Sequence, residues 1–390
     1  MYKEFRFLNI RLFYEKYEKE FYKKRILFYK KEFNINCYHV GYKLFNWMFM
    51  TSTFYAGFYD YTLFKKFKFR CSRKKTFNFL LPILFSYLKE KTNEDKLDII
   101  PLFNRSGETF LICHHLKYIF ENNNINSPIF VAIHPYLKSI VEMFYQDINF
   151  YKIPNVFWEL YFAEGNGLIF SDKYKYYNQL SLQHNHFMEL ETKLQKGKII
   201  NFYTAIKERL DIKKENTLSP QYSNIVIESA KTKMKLLGLK KPFVFISPDA
   251  QSNGTCSKEF WDRLPIKLSN LGYDMYFNSI PWNIQNSYYK HCNFSLAEAR
   301  YVAEQADVII GVRSGLMDVI TNKTSKIICI YHAFWDRGKE LPMLDANKVL
   351  NGFSLKYLPN VNKNRIFEYN GQEMSEEEIM KSIIKNIKVK

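Results

Sequence analysis

The sequence predicts an α/β protein with two doubly wound sheets in series, preceded by a mostly helical extension. From Leu97 onward, short apolar runs alternate with amphipathic segments of helical period, which is the pattern of parallel-sheet units. The polar, proline-containing stretch 211–222 has no periodicity and separates two such alternating sets. The length of 390 residues also exceeds the usual size of a single hydrophobic core.

These observations divide the chain into three predicted regions. Residues 1–95 form a basic, aromatic and mostly helical extension, residues 96–215 a first Rossmann-like domain, and residues 216–390 a second Rossmann-like domain with a terminal helix. Ligands of doubly wound sheets bind at the carboxyl ends of the strands. A cleft between the two domains is therefore the expected ligand site.

Each strand of the first set is a short apolar run, and each helix repeats its apolar residues every three to four positions. In chain order, this set comprises strand Leu97–Phe103, helix Thr109–Glu121, strand Pro128–Ile133, helix Tyr136–Tyr145, further strands near Asn155–Phe162 and Gly167–Phe170, and helices over His184–Gly197 and Ile199–Leu210.

The same criteria define the second set. It comprises helix Ser223–Leu237, strand Phe243–Ser247, helix Glu259–Leu271, strand Asp274–Asn278, helix Leu296–Gln305, strand Asp307–Gly311, helix Leu316–Thr321 and strand Lys326–Tyr331. A capping box that starts at Ser375 opens the terminal helix, which runs to Ile387.

Positive charge is concentrated in the extension. Residues 1–91 hold 20 Lys and Arg against 7 Asp and Glu, which is +13 of the formal +18. The remainder is too weakly basic to suggest nucleic acid, so a nucleic-acid-binding arm is the weaker interpretation. The apolar stretch Leu44–Tyr59 is shorter than the roughly 20 residues of a spanning helix. Followed by a basic cluster, it fits an interfacial segment on an anionic membrane; the alternative is a helix packed on the body.

The cellular context is predicted from the start of the chain and from its cysteines. The first 30 residues are charged and aromatic and lack the apolar core of a secretory signal. No cysteine belongs to a C-x-x-C pair, so the thiols are expected to be reduced and in the core. We therefore expect a cytoplasmic protein, either free or peripheral on the inner membrane. The six cysteines are Cys37, Cys71, Cys113, Cys256, Cys292 and Cys329.

Several enzyme classes lose support because their motifs are missing. The sequence has no P-loop, G-x-G-x-x-G, H-E-x-x-H, G-x-S-x-G or EF-hand pattern, and no D-x-D that would hold a metal with a diphosphate. The G-N-G at 165–167 is interpreted as a turn. His114 and His115 fall inside a predicted helix and face different directions, which favours a core role over metal binding. Neither a metal ion nor a cofactor is expected.

Two similar turns join a strand to a helix. Arg313-Ser314-Gly315-Leu316-Met317, followed by Asp318, comes after the strand Asp307–Gly311, and Arg105-Ser106-Gly107-Glu108 occupies the equivalent place some 200 residues earlier. Such a turn presents free backbone amides and the positive end of the helix dipole, which together suit a phosphate group.

Three segments resemble glycosyltransferase family 9, the bacterial heptosyltransferases. Residues 105–112 resemble the R-x-G-D-hydrophobic-L-L element that opens the family. Phe245-Ile246-Ser247-Pro248, with Lys258 and Trp261, resembles its strand, proline turn and K-x-W segment. Residues 296–299, 306–311 and 314–317 resemble its late run L-A-E-x, A-D-hydrophobic-hydrophobic-hydrophobic-G and D-S-G-x-M-H. The resemblance covers roughly residues 97–335, and order and approximate spacing agree.

The resemblance implies a GT-B fold, with two Rossmann-like domains facing each other, and metal-independent transfer of a sugar from a nucleotide donor. The chain also departs from the family. Glu108 replaces Asp, Arg313 stands where the family has Asp, and Asp318 where it has His. The K-x-W spacing is one residue longer. The charge reversal in the donor-facing motif puts ADP-heptose in doubt as the donor while leaving the turn intact.

Sugar transfer requires a base for the acceptor hydroxyl and donors for the departing diphosphate. Glu108, at a helix N-terminus, is the candidate base; alternatively it is an ordinary first-turn acid that complements the helix dipole. The amides of 314–317 offer an anion site, to which Arg313 or Lys258 could add charge-assisted bonds. The alternative for Arg313 is a salt bridge to a neighbouring carboxylate. Further candidates for contacts to the donor are the polar loop Ser247, Asp249, Gln251, Ser252 and Asn253, together with Tyr331, His332 and Trp335.

The sequence thus predicts an inverting glycosyltransferase of cell-surface polysaccharide synthesis. Residues 96–215 would be its acceptor domain, with Arg105, Ser106 and Gly107 as the acceptor-side turn, and residues 216–390 its nucleotide-sugar donor domain. Its partners would be a nucleotide-sugar donor, a lipid-linked or lipopolysaccharide-type acceptor, and an anionic membrane contacted through residues 1–91. Two alternatives remain open: a nucleotide-sugar 2-epimerase of the same fold, and a catalytically silent scaffold of glycan assembly.

Overall fold

The computed structural model describes residues 2–388 apart from a number of short segments, and for residues 2–80 it describes the backbone. The segments outside the description are 8–9, 19–20, 27–29, 35–36, 45–46, 56–57, 64–66, 95, 103–104, 147, 154–156, 158–159, 161–167, 170–173, 178–192, 195, 197–199, 214–216, 251–253, 279–289, 292 and 335–343. The predictions for the turn at 165–167, for Gln251, Ser252, Asn253, Trp335 and Cys292, and for most of helix 184–197 fall in these segments.

The chain divides into two compact units. The first contains residues 1–99 and 153–178, and the second contains residues 100–152 and 179–390. Both of the strand-to-helix turns singled out above lie in the second unit. Among the described residues, no helix is long and apolar enough to cross a membrane.

The N-terminal region is built mainly of strands. These are β1 (Tyr2–Phe7), β2 (Ile10–Glu18), β3 (Phe21–Ile26), β4 (Lys30–Asn34), β5 (Cys37–Leu44), β6 (Trp47–Tyr55), β7 (Phe58–Leu63) and β8 (Phe67–Ser72), followed by helix α1 (Arg73–Thr92). Strands β1–β3 form one antiparallel sheet and β4–β8 a second.

The prediction of a mostly helical extension is wrong for residues 2–72 and right for residues 73–92. Segments such as Phe67–Ser72 alternate aromatic with charged residues, which is a period of two rather than 3.6. The many Phe and Tyr residues have high strand propensity. This composition favours hairpins over the predicted helices.

The first Rossmann-like set contains β9 (Leu97–Pro101), α2 (Ser106–Cys113), α3 (Leu116–Asn123), β10 (Pro128–Ala132), α4 (Lys138–Glu142), β11 (Asn149–Lys152), β12 (Leu168–Ile169), β13 (Tyr174–Tyr176) and α5 (Phe202–Arg209). The strand order is β11-β10-β9-β13-β12. Strand β10 runs parallel to β11, β9 runs parallel to β13, and β12 is antiparallel to β13.

The predicted helix Thr109–Glu121 is in fact two helices. The break falls at His114 and His115 because the backbone there is bonded elsewhere. The carbonyl of His114 accepts the amide of Leu218 at 2.8 Å, so it is not part of a continuing helical ladder. Both imidazoles are buried, which agrees with the predicted core role.

The second set contains α6 (Asn224–Leu236), β14 (Phe243–Ser247), α7 (Lys258–Ser269), β15 (Asp274–Phe277), β16 (Lys290–His291), α8 (Leu296–Gln305), β17 (Val308–Val312), α9 (Gly315–Ile320), β18 (Lys326–Tyr331), α10 (Ala346–Phe353), β19 (Ile366–Asn370) and α11 (Glu376–Lys388). Helix α10 and strands β16 and β19 were not predicted.

The second sheet is parallel throughout, with strand order β16-β15-β14-β17-β18-β19. In chain order this is 3-2-1-4-5-6, the doubly wound Rossmann order. Its core is a continuous buried cluster in which Trp261 and Phe260 of α7 and Ile379 and Ile383 of α11 join the strands. The predicted α/β class with two largely parallel sheets is confirmed.

Local signals explain how the helices of this set begin. Ser295 and Glu298 form a complete capping box at α8. At the terminal helix, the Ser375 hydroxyl accepts the Glu378 amide at 3.3 Å, and the Glu378 carboxylate accepts the Ser375 amide at 2.8 Å. This is the predicted capping box. Of the six cysteines, Cys113, Cys256 and Cys329 are free and buried, in agreement with core thiols.

Candidate functional site

The tripeptide Arg-Ser-Gly begins a helix at two places, and the two helices start in different registers. Helix α2 begins at Ser106, with Arg105 as its N-cap residue, whereas α9 begins at Gly315, with Ser314 as its N-cap residue. The Ser314 hydroxyl accepts the amide of Met317 at 3.4 Å. Arginine has donors only and cannot cap an amide, so α2 has no side-chain cap of its own.

The two glycines let these helix starts touch. A Cβ atom added to Gly107 would overlap the Oδ2 atom of Asp318 and lie 3.0 Å from the Cα atom of Gly315. A Cβ atom on Gly315 would lie 2.9 Å from the Ser106 hydroxyl and 3.0 Å from the Gly107 amide nitrogen. Helices α2 and α9 are thus in direct backbone contact at their first turns, and the two predicted turns come together in one place.

Arg313 and Asp318 form a buried ion pair across the first turn of α9. The Nη2 atom of Arg313 lies 2.8 Å from Oδ1 of Asp318, and Nη1 donates to Oδ2 at 3.1 Å. The guanidinium also donates from Nε to the carbonyl of Phe353 at 2.8 Å and from Nη1 to the carbonyl of Ser314 at 2.6 Å. Of the two readings of Arg313, the salt bridge to a neighbouring carboxylate is the one observed; a contact with the donor stays a prediction.

Burial raises the pKa of Asp318 to about 6. The nearby Glu108 carboxylate adds to this rise, and Arg313 opposes it. For Arg313, burial is the largest single effect and lowers the pKa. The charge of Asp318, together with Tyr331, Cys329 and the hydrogen bond to Asp318, outweighs burial, so the pKa of the guanidinium is raised. Arg313 therefore stays charged, and Asp318 is the partner that can gain a proton in weak acid.

Glu108 is the third residue of α2 and is half-buried beside this ion pair. Its carboxylate acts electrostatically on Asp318 and also on Tyr136, whose pKa is raised by burial and by Glu108 and lowered by Arg105. Arg105 itself is exposed. The candidate base thus lies in a small group of charges beside the exposed Tyr136, and this proximity to Tyr136 was not foreseen from sequence.

The Arg313–Asp318 turn follows β17, at the point where the strand order of the second sheet reverses. Strands β14 and β17 are the two neighbours at this switch point, and Ser247 at the end of β14 pairs with Gly311 of β17. A Cβ atom on Gly311 would lie 2.7 Å from Sδ of Met317 and 2.8 Å from the Ser247 carbonyl oxygen. Glycine is required here so that α9 can pack directly on the strand ends, where doubly wound sheets bind nucleotides.

The other predicted donor-side residues lie at or after the carboxyl ends of β14 and β18. Asp249 is exposed in the loop after β14, and Lys258 is the exposed first residue of α7. His332 follows β18 and is partly buried, with Nε2 3.6 Å from Sγ of Cys256. Tyr331 is fully buried and bonds to Glu368 at 2.6 Å, so its hydroxyl is part of the core.

Other contacts around the site involve residues that sequence reasoning did not assign. Arg300 of α8 is buried and donates to the carbonyls of Val319, at 2.6 Å, and of Thr321, the residues that end α9. Its guanidinium carbon lies 5.5 Å from the ring centre of Phe110 on α2. An arginine in the middle of an amphipathic helix carries no sequence signal for such a role, because only the tertiary fold places it there.

Comparison with known proteins gives matches among solved structures but none among family models or curated sequences. No protein-family model matches the chain, and no curated protein sequence matches it. Among solved structures, it is similar to a glycosyl transferase family 9 protein from Veillonella parvula, with a TM-score of 0.46, 11% identity, and coverage of 75% of this chain and 97% of that one.

Two Escherichia coli structures are also similar. The ADP-heptose lps heptosyltransferase II has a TM-score of 0.46 and 11% identity, over 75% of this chain and 98% of that one. Heptosyltransferase WaaC with ADP-2-deoxy-2-fluoro heptose has a TM-score of 0.36 and 10% identity, over 64% of this chain and 95% of that one.

Proposed function

We propose that this protein is a metal-independent inverting glycosyltransferase that moves a sugar from a nucleotide-sugar donor to a lipid-linked or lipopolysaccharide-type acceptor. The observation that carries the proposal is the position of the Arg313–Asp318 turn. It follows β17 at the switch point of a 3-2-1-4-5-6 sheet, and it contacts the turn that carries Glu108. A turn at the place where doubly wound sheets bind nucleotides therefore lies next to the turn that carries the Glu108 carboxylate.

In the proposed reaction, Glu108 takes the proton of the acceptor hydroxyl as its oxygen attacks the anomeric carbon of the donor. The bond from that carbon to the diphosphate oxygen breaks, and the nucleoside diphosphate leaves with the bonding electron pair. Configuration inverts because attack and departure take place on opposite faces. Glu108 suits this role because it is half-buried rather than enclosed, and among the described residues its carboxylate has no ion-pair partner.

Charge on the departing diphosphate requires preorganised donors. The amides of Gly315 and Leu316, which precede the capped amide of Met317, are the proposed donors at the switch point. Lys258 is the proposed mobile cation, because it is exposed at the same end of the sheet. Arg313 contributes indirectly, since its guanidinium is buried against Asp318.

The basic N-terminal region is proposed to hold the enzyme near an anionic membrane. Residues 1–91 carry most of the formal charge of the chain, interleaved with aromatic residues. Both properties favour binding at a lipid surface. A lipid-linked acceptor would then be presented at the cytoplasmic face, where the nucleotide sugar is available.

Nucleotide release tests the proposal. The protein is incubated with a panel of nucleotide sugars, including ADP-heptose, in the presence and absence of membrane-extracted acceptor glycolipids. We expect one donor to release nucleoside diphosphate only when acceptor is added, and chelation of metal ions to leave the rate unchanged. Release that persists after removal of the acceptor, or that no acceptor accelerates, would contradict the transferase assignment.

Two other functions of this fold give different outcomes in the same assay. A nucleotide-sugar 2-epimerase would convert the donor sugar with no acceptor present. A catalytically silent scaffold would neither turn over nor bind nucleotides, which isothermal calorimetry with nucleoside diphosphates would reveal.

A further inference from the structure

Asp318 is placed where helix α2 lacks a cap. The residue at the N-cap of α2 is Arg105, whose side chain cannot accept an amide hydrogen bond. The Asp318 carboxylate, which belongs to α9, lies against Gly107 so closely that a Cβ atom there would overlap its Oδ2 atom. A negative charge at this end of a helix interacts favourably with the helix dipole. Asp318 therefore provides α2 with the negative charge that its own N-cap residue lacks.

Arg313 holds the Asp318 carboxylate in place. Arg313 contacts both of its oxygens, and the guanidinium is in turn fixed by the carbonyls of Ser314 and Phe353. Phe353 ends helix α10, so Arg313 links the ends of two helices as well as the ion pair. Both charged side chains are buried, and the aromatic ring of Phe353 covers the guanidinium at 5.7 Å.

Other charged or titratable groups lie near the Arg313–Asp318 pair, but none of those described next is a buried anion in contact with the first turn of α2. Glu108 and Arg105 are on the first turn of α2, and Tyr136 precedes α4, which packs on α2. Arg300 of α8 bonds to carbonyls at the opposite end of α9. Asp318 is the buried anion that contacts the turn carrying the candidate base.

From this arrangement we propose that Asp318, anchored by Arg313, is a positioning residue for Glu108: it fixes the first turn of α2 against α9, and so sets where the Glu108 carboxylate lies relative to the donor-side turn. The inference rests on the proposed function for the identity of the base. It differs from the sequence-based prediction, in which Arg313 and Asp318 border the donor directly.

The activity test uses Asp318→Asn, which keeps the size of the side chain and removes its charge. We expect kcat for sugar transfer to fall by about tenfold to a hundredfold, because a small misplacement of a catalytic group has effects of this order. KM for the nucleotide sugar should stay within about twofold. The matched control is Asp345→Asn, which removes the N-cap carboxylate of α10 that bonds to the Lys348 amide at 2.9 Å. Both constants of this control should equal those of the wild type.

A second measurement does not depend on activity. The carboxyl carbon of Asp318 is followed by NMR in protein labelled at aspartate, with the signal assigned from Asp318→Asn. Replacing Glu108 by Gln removes a neighbouring negative charge, so the titration midpoint of Asp318 should fall by about half a pH unit or more.

The outcomes separate this inference from the proposed function. Wild-type kcat in a folded Asp318→Asn protein, or an Asp318 midpoint that Glu108→Gln leaves unchanged, would overturn the positioning role. If the wild type turns over no donor but the midpoint shifts as expected, the glycosyltransferase proposal fails and the coupling of the two carboxylates stands.

Discussion

The Arg105–Glu108 and Arg313–Asp318 turns begin with the same three residues and have opposite environments. Arg105 is exposed at an uncapped helix start, whereas Arg313 is buried, paired with Asp318 and bonded to two carbonyls. Ser106 is the first residue inside its helix, but Ser314 is outside its helix and caps it. The charged side chains of the first turn are therefore at least partly open to solvent, whereas those of the second turn are buried and bind each other. This difference fits the proposed roles, in which the first turn would supply the reacting group and the second a rigid platform.

Replacing each of the two arginines by alanine should give the largest difference in stability between the two turns. Arg313→Ala leaves the Asp318 carboxylate buried without its partner, so the free energy of unfolding should fall by about 3–5 kcal/mol. Arg105→Ala removes an exposed side chain and should change it by less than about 0.5 kcal/mol. Urea denaturation of both variants measures the contrast. Equal losses would show that the burial of Arg313 is not what distinguishes the second turn.

Acid should act on the far end of α2, where His114 closes the helix. Its Nδ1 atom donates to the Leu218 carbonyl at 2.7 Å, and burial lowers the pKa of His114 to about 3. The unfolded chain, with a pKa near 6.5, binds this proton more readily, so stability is lost as the pH falls from about 6.5 toward 3. The loss should reach about 3 kcal/mol at pH 4.

A His114→Asn variant provides the control for this pH dependence, since its amide can still donate to Leu218 without titrating. Denaturation at pH 7 and pH 4 should show a smaller loss on acidification in the variant than in the wild type. Asp318 contributes with the opposite sign, because its pKa is raised above the unfolded value and protonation near pH 6 favours the folded state. Equal losses in wild type and variant would contradict the role given to His114.

Adding one carbon atom at Gly107 tests how tightly the two turns touch. Gly107→Ala places a Cβ atom onto the Asp318 carboxylate, which Arg313 prevents from moving, so it should destabilise the fold by about 1–3 kcal/mol. Gly238→Ala adds the same atom in open space at a φ of +59° and should cost only about 1 kcal/mol through backbone strain. Thermal unfolding compares them, and a neutral Gly107→Ala would mean that the turns are not in contact.

The smallest expected effect concerns the two serines. Ser314→Ala removes the cap of α9 and should cost about 1 kcal/mol. Ser106→Ala alters a residue within the first turn of α2 that caps no amide, so its effect should be within about 0.5 kcal/mol. Guanidinium denaturation resolves this difference, and the reverse ranking would show that the helix starts have been assigned in the wrong register.

Much of the second sheet follows from the sequence. Strands such as Phe243–Ser247 and Lys326–Tyr331 are buried on both faces and read as unbroken apolar runs, so both were predicted with the bounds observed. Strand β19, Ile366–Asn370, lies at the sheet edge and contains Glu368, whose side chain is buried and accepts hydrogen bonds from Tyr331, Ser354 and the Leu355 amide. The local sequence pattern does not predict a strand of this kind.

The candidate site was predicted in part for a similar physical reason. Its two turns could be found because glycine and a helix start have recognisable sequence signals. Whether an arginine at such a turn faces a ligand or an internal carboxylate depends on a residue five positions away and on the end of α10. Those are tertiary contacts, and the identical Arg-Ser-Gly at the first turn shows that the local sequence cannot distinguish them.

The most direct test of the proposed chemistry is the rate of sugar transfer by Glu108→Gln. The variant keeps the shape of the side chain and removes its ability to accept a proton, so kcat should fall by about a hundredfold to ten-thousandfold while nucleotide binding is retained. Glu377→Gln, an exposed first-turn acid of α11, should transfer at the wild-type rate. Full transfer by Glu108→Gln would contradict the assignment of Glu108 as the base.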